Sequence, residues 1–224
     1  GHHRRQRQMC IRDRNLILLG MPGAGKGTQA EFIQKDYGLA NISTGAMMRE
    51  VSRSESKLAS KVQTYLSSGT LVPNEIIIEM LVERIQKDDC SNGFLLDGFP
   101  RNLDQGKALD DANISIDLVL YLSIKEEEII SRMSGRRVHL ASGRSYHIVH
   151  NPPKKDGFDD VTGEALIQRE DDNPEVIKKR LSVYYNETEP LLEFYKNKDL
   201  KFIEIDASKS VDAVTDSIRQ SIST

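Results

Sequence analysis

A glycine-rich turn that carries one lysine has the clearest chemical meaning in this sequence. An apolar run at residues 16–19 leads into Gly20-Met21-Pro22-Gly23-Ala24-Gly25-Lys26-Gly27-Thr28, after which helix-forming residues begin. Glycines let successive backbone N–H groups converge on one anion, and a helix start points its positive dipole end at the same place. Lys26 adds a mobile positive charge and Thr28 a hydroxyl. This order of strand, turn and helix indicates a site for nucleoside triphosphate phosphates.

The turn departs by one residue from the general phosphate-loop pattern G-x-x-x-x-G-K-[ST]. Gly27 stands where that pattern has serine or threonine, and Thr28 follows one position later. The strand before the turn and the helix after it still favour phosphate binding over a purely structural turn. From these residues alone, the prediction is binding of a nucleoside triphosphate and no more.

A carboxylate at the end of a second apolar run is the next candidate. Residues 94–97 read as a short buried strand that ends at Asp97, followed by Gly98-Phe99-Pro100-Arg101. Open α/β sheets bind their ligands beyond the carboxyl ends of parallel strands. Asp97 could hold a hydrated metal ion there. The alternative is that its side chain only caps the turn.

Arginines flank a stretch in which the alternation of helices and strands stops. Between Gly135 and Asp172, glycines and prolines separate short alternating pieces, and roughly forty residues without a helix are too many for an ordinary connection. We expect a functional flap or a small β insert. The flanking arginines are Arg132, Arg136, Arg137, Arg169 and Arg180. At the two roots of one mobile insert, they predict a clamp that closes on polyphosphate.

Two matched pairs of polar residues lie inside this insert. His139 and Ser142 are separated by two residues, as are Asp159 and Thr162. Paired knuckles of this spacing are typical of four-ligand zinc sites, but serine and threonine are poor zinc ligands and the insert has no cysteine. We therefore expect a hydrogen-bonded polar network and no zinc.

Alternating strands and helices predict the scaffold that positions these groups. Apolar runs predict strands at residues 16–19, 94–97, 118–122 and 202–205. Helical spacing predicts helices at about 26–37, 76–85, 125–133 and 211–222, and from Asn173 onward with an interruption at Pro190. Ser43 or Thr44 can cap a further helix, on which Arg49 lies about one turn later. This alternation indicates an α/β protein with a mainly parallel sheet covered on both faces.

Composition narrows the function classes. The net charge of −3 gives no general attraction to nucleic acid or membranes, and no apolar run approaches the roughly 20 residues that span a bilayer. Cys10 and Cys90 fit neither a disulfide framework nor a metal site, which favours a reducing cytoplasm. Residues 1–14 contain five arginines and two histidines. We interpret them as a tag-like or non-native leader in preference to a nucleic-acid-binding arm.

Four separated motifs together closely resemble those of adenylate kinase, in its bacterial long-lid form. They are residues 20–28, Ser43-Thr44-Gly45 with Arg49, residues 97–101 with Gln105, and Gly135-Arg136-Arg137. The resemblance extends over residues 15–224. The loop of this family reads G-x-P-G-x-G-K-G-T, which accounts for the glycine that breaks the general pattern.

The resemblance implies a P-loop NTPase-like parallel sheet flanked by helices, with two inserts. The core would comprise residues 15–42, 73–134 and 173–224, the AMP-binding insert residues 43–72, and the lid over ATP residues 135–172. The implied reaction is reversible phosphoryl transfer, ATP + AMP to two ADP, with Mg²⁺. The implied enzyme is a cytoplasmic monomer that maintains the adenine nucleotides.

The resemblance also implies roles for individual residues. Catalytic roles fall to Lys26, Arg101, Arg136, Arg169 and Arg180. ATP would contact Gly23, Ala24, Gly25, Lys26, Gly27, Thr28, Arg132, Arg136, Val138, Tyr146 and Lys209. AMP would contact Thr44, Arg49, Leu71, Val72, Gly98, Phe99, Arg101, Gln105, Arg169 and Arg180. Asp97 and Thr28 would hold Mg²⁺ indirectly, and the four lid residues match the metal-free variant of the family.

Two alternatives stay open at this point. The first is a kinase of the same fold for GMP, UMP or CMP, although UMP/CMP relatives usually have a short lid. Base choice in that case turns on Thr44 and Gln105. The second is a non-catalytic nucleotide sensor, which would have no reason to keep a second nucleotide pocket and an arginine clamp.

Overall fold

The computed structural model of the chain describes residues 14–68 and 71–223. The predicted basic leader therefore lies outside the described residues, except for its last member. Arg14 is buried, and its carbonyl oxygen would lie 2.1 Å from a Cβ atom at Gly93. Arg14 thus belongs to the folded domain, which begins at least one residue before the expected boundary.

A five-stranded parallel sheet forms the centre of the protein. Its strands are β1 (Leu16–Gly20), β2 (Ala40–Ser43), β3 (Phe94–Asp97), β4 (Leu118–Ser123) and β7 (Lys201–Asp206), in the order β2-β3-β1-β4-β7. Leu16 and Leu18 of the central strand enter one hydrophobic core, and Ile17 and Leu19 enter the other. Both faces are buried, as a parallel sheet requires. The predicted α/β class and parallel sheet are confirmed.

Helices cover both faces of this sheet. They are α1 (Lys26–Tyr37), α2 (Thr44–Ser52), α3 (Ala59–Ser68), α4 (Asn74–Ile85), α5 (Leu103–Asp111), α6 (Glu126–Ser134), α7 (Pro174–Val183), α8 (Glu189–Lys196) and α9 (Val211–Ser223). Helices α1, α6, α7 and α9 supply one core, and α2 to α5 with α8 supply the other. None of the helices in the described ranges has the length and apolar character needed to cross a bilayer.

Three elements were not predicted from the sequence, and each is short or mostly polar. Strand β2 has four residues at an edge of the sheet, of which only Ala40 and Ile42 are buried. Helix α3 buries only Val62, and α5 buries only Gly106 and Leu109. Such elements carry too few apolar residues for a periodic signal, and packing on the rest of the fold stabilises them.

Residues 135–172 fold as a small antiparallel β unit, which we call the lid. Strand β5 (Arg136–Val138) pairs with β6 (Ser145–His147), and isolated bridges join Val138 to Ile167 and Phe158 to Ala165. This fully described segment contains no α-helix, and a 3₁₀ turn at Glu170–Asp172 leads from it into α7.

Candidate functional site

A cleft of about 760 Å³ opens beyond the carboxyl ends of β1 and β3. Three segments line it: the turn between β1 and α1, the segment from Asp97 to Arg101, and the end of α7 with the π-helical turn Tyr184–Thr188 that follows. Ligands of open α/β sheets bind at this edge of the sheet. The fold thus brings two motifs that are far apart in sequence to one cleft and adds a helix from the C-terminal third of the chain.

The turn between β1 and α1 presents backbone N–H groups to this cleft. Gly25 is the N-cap of α1, with a φ of 93°, and no described side chain caps the helix there. Gly23 also has a positive φ, and a Cβ atom on it would meet Met133 Sδ at 2.6 Å. Only glycine adopts this conformation readily and fits beside Met133 at position 23. The uncapped first turn of α1 can therefore receive an anion.

Lys26 lies folded back on this turn. Its Nζ donates to the carbonyl oxygen of Gly20 at 2.6 Å and more weakly to that of Met21 at 3.5 Å. Burial lowers the pKa of Lys26 from 10.5 to about 8; Asp97 opposes this lowering of the pKa, and the nearby Arg101 and Arg180 add to it. A phosphate in the cleft would supply the negative charge that this ammonium group lacks.

Arg101 is held from several sides. Its backbone N–H donates to Gln105 Oε1 at 2.7 Å, and its side-chain Nε donates to the carbonyl oxygen of Gly98 at 2.8 Å. The other end of the Gln105 amide donates to Asn74 Oδ1 at 3.2 Å, at the start of α4. Gln105, which the resemblance assigns to the AMP base, thus also orients the loop that carries Arg101.

Asp97 and Thr28 both line the cleft. Mg²⁺ prefers oxygen ligands, keeps several waters, and is usually held by one or two carboxylates together with the phosphates of the substrate. Within the described ranges, no group of three or more His, Cys, Asp or Glu side chains is placed to hold an ion. Asp97 and Thr28 are oxygen donors of the kind that suits a magnesium ion carried by nucleotide phosphates.

The five arginines of the predicted clamp do not all reach the cleft. Arg180 lines it, but Arg136 donates two hydrogen bonds to the buried carboxylate of Asp172, at 2.6 and 2.9 Å. Arg132 donates to the carbonyl oxygen of Ser208, and Arg169 is exposed and does not line the cleft. Arg137 donates to carbonyl oxygens at the lid root. In this arrangement the five arginines do not surround one site, and the clamp stays a prediction.

Two expected ATP contacts lie inside the lid. Val138 and Tyr146 are 2% and 8% exposed, and neither lines the cleft. The Tyr146 hydroxyl donates to Asp159 Oδ1 at 2.7 Å, and both backbone groups of Val138 bond to Ile167. Lys209 is exposed beyond the end of β7 and next to Ser208, which accepts from Arg132.

The expected AMP contacts extend from the cleft along the insert at residues 43–72. Thr44 begins α2, and its Oγ1 would lie 3.3 Å from a Cβ atom at Gly98. Arg49 is exposed one turn later, and Leu71 is 91% exposed. Val72 is half-buried, whereas Phe99 is 3% exposed and belongs to the hydrophobic core.

The four lid residues are linked by hydrogen bonds. His139 Nδ1 and Ser142 Oγ lie 2.5 Å apart, and Thr162 Oγ1 donates to Asp159 Oδ2 at 2.8 Å. The buried Asp159 also accepts two bonds from Arg144 and one from Tyr146. These bonds hold the pKa of Asp159 well below its usual value, with the Arg144 guanidinium as the largest cause. The expected absence of zinc stays a prediction.

Sequence reasoning missed five residues of α7 and the turn after it that line the cleft. They are Lys179, Val183, Tyr184, Glu187 and Thr188. Helical spacing from Arg180 could have indicated Tyr184 and Thr188, which follow it by four and eight residues on one helix face. The π-helical turn that presents the last three of these residues has no simple sequence signature apart from the proline after it.

Comparison with known protein families agrees with this arrangement. The family described as Adenylate kinase matches residues 18–200, which is most of the chain. The matched segment contains the turn before α1, the Asp97 loop, the lid and α7. The chain therefore belongs to the adenylate kinase family, which makes it a nucleotide-binding phosphotransferase of the nucleoside monophosphate kinase kind.

Proposed function

We propose that this protein transfers a phosphoryl group reversibly between ATP and AMP, giving two ADP. The observation that carries the proposal is the convergence of Lys26, Arg101 and Arg180 on one cleft beside the uncapped start of α1. Backbone amides supply one anion pocket and guanidinium groups supply another. A phosphoryl group in transfer needs alignment and positive charge around its oxygens, and little covalent help.

We assign the alignment and the positive charge to residues that line the cleft. The first turn of α1 and Lys26 would bind the β- and γ-phosphates of ATP, while Arg101 and Arg180 would hold the AMP phosphate in line. No general base is required, because a phosphate oxygen of AMP is already a nucleophile. Mg²⁺, when bound with ATP, would neutralise charge on the phosphates beside Asp97.

Lid closure completes the proposal. Movement of residues 135–172 toward the cleft would bring Arg136 and Arg169 to the phosphates, beside Arg132 just before the lid, and would exclude water, which would otherwise accept the phosphoryl group. Arg136 would then exchange Asp172 for a phosphate. Residues 43–72 would close over AMP in the same way, with Thr44, Arg49, Leu71 and Val72 around the nucleotide. We further propose that the enzyme works as a cytoplasmic monomer.

A coupled assay of ADP formation tests the proposal. With ATP fixed, we expect AMP to be phosphorylated at a rate far above those of GMP, UMP and CMP. A comparable rate for one of these would contradict AMP specificity while leaving a monophosphate kinase in place. Equilibrium dialysis separates the sensor alternative, because a sensor should bind one nucleotide per chain and the kinase two.

A further inference from the structure

A single hydrogen bond ties the helix that carries Arg180 to the loop that carries Arg101. The Thr188 hydroxyl, in the π-helical turn between α7 and α8, donates to the carbonyl oxygen of Arg101 at 2.6 Å. The two residues are 87 positions apart in sequence. Both line the cleft, and so does Tyr184 at the start of the same turn.

The π-helical turn has a clear physical origin. Pro190, in the first turn of α8, has no N–H and cannot continue the ladder of bonds to the fourth preceding residue. At the residue just before this proline, the Glu189 N–H donates to the carbonyl oxygen of Tyr184, five residues back. The turn is therefore wider by one residue, a feature that often marks functional positions in helices.

Both backbone groups and the side chain of Arg101 are hydrogen bonded. Gln105 accepts from its N–H, Thr188 donates to its C=O, and the guanidinium Nε donates to Gly98. Gln105 in turn donates to Asn74, the first residue after the insert at residues 43–72 to enter α4. The chain of bonds thus runs from the root of the insert to the helix that follows the lid.

We infer that Thr188 is a positioning residue, which sets the place of Arg101 relative to Arg180 through this hydrogen bond. The inference rests on the proposed function. Thr188 need not touch either nucleotide, because its hydroxyl is directed to a backbone carbonyl. Its loss would leave both arginines present but the Arg101 loop free to shift, and a shift of about 1 Å can cost on the order of 100-fold in rate.

Steady-state ADP formation by Thr188→Val, with AMP and ATP varied separately, tests this inference. Valine keeps the shape of threonine and removes the donor. We expect kcat/KM for AMP to fall about tenfold, part of it in kcat, while KM for ATP stays within about twofold. Thr188→Ser restores a hydroxyl and should return kcat/KM for AMP to within about threefold of wild type.

Ser223→Ala is the control. Ser223 is exposed on α9, outside both inserts, and among the described residues its hydroxyl donates to the carbonyl oxygen of Arg219 in its own helix. This variant should behave as wild type. If Thr188→Val does not fold, as judged by circular dichroism, Thr188→Ala carries the same expectation without the valine methyl groups.

Three results would overturn the inference. One is a Thr188→Val enzyme within twofold of wild type for AMP. Another is a serine variant as impaired as the valine variant, and the third is an equal rise in KM for AMP and for ATP. A wild-type protein that forms no ADP would overturn the proposed function as well, so the two failures are distinguishable.

Discussion

Replacing Lys26 by methionine should change activity and stability in opposite directions. Lys26 is half-buried, and its ammonium group hydrogen bonds to Gly20 and Met21 with no carboxylate as a partner in those bonds. Methionine fills a similar volume without the charge. In the proposed reaction, the lost charge should lower kcat by a factor of about 100 to 1,000, the range for removing one preorganised electrostatic donor.

The stability change follows from the pKa of Lys26. Folding lowers the pKa of Lys26 from 10.5 to about 8, and each pKa unit corresponds to about 1.4 kcal/mol. The charged amine therefore destabilises the folded protein without nucleotide by roughly 3 kcal/mol at neutral pH. Partial exposure reduces this figure, and the lost hydrogen bonds cost about 1 kcal/mol. The free energy of unfolding of Lys26→Met should therefore exceed that of the wild type by about 1–2 kcal/mol at pH 7.

Urea unfolding at several pH values measures this effect. Because the pKa of Lys26 is lowered on folding, this residue binds more protons in the unfolded chain between pH 8 and 10.5, and the stability cost of Lys26 in the wild type falls over that range. The extra stability of Lys26→Met over the wild type should therefore shrink as the pH rises from 8 to 10.5. Lys35→Met, at an exposed position of α1, is the control and should change stability by less than about 0.5 kcal/mol. A Lys26→Met protein less stable than wild type at pH 7, or a pH-independent difference, would refute the reasoning.

The remaining predictions concern the lid and the domain boundary. Asp159→Asn should accelerate amide hydrogen exchange across the lid at pH 7 and leave β1 and β4 unchanged; uniform exchange rates would contradict this. In the wild type, the pKa of Asp159 is lowered on folding, so its ionised carboxylate should stabilise the lid fully above about pH 3.8. This stabilisation should be lost as the pH falls further. Metal analysis should find no stoichiometric zinc, and one equivalent would argue against the hydrogen-bonded network. Gly93→Ala should lower the free energy of unfolding in urea by about 3 kcal/mol or more, because the φ of Gly93 is 112° and the Arg14 carbonyl oxygen blocks a Cβ atom. A loss below about 1 kcal/mol would mean that the segments at Arg14 and Gly93 move apart easily.

Local sequence determined the parts of the site that depend on one segment. The turn before α1 follows from Gly23, Gly25 and Lys26, whose backbone freedom and charge are properties of the residues themselves. The longer strands and helices follow from apolar periodicity, and Pro190 marks a break in the last third of the chain. The absence of helix in the lid could also be read from its glycines and prolines.

Only the tertiary structure decided which charges meet. Arg136 and Arg180 have the same side chain, yet Arg136 binds Asp172 whereas Arg180 lines the cleft. Likewise, no pattern in the chain joins Thr188 to Arg101 across 87 residues. Sequence sets residue types and local conformation, because these depend on neighbours along the chain. The partners of a long charged side chain depend on the packing of distant elements, which only the folded protein defines.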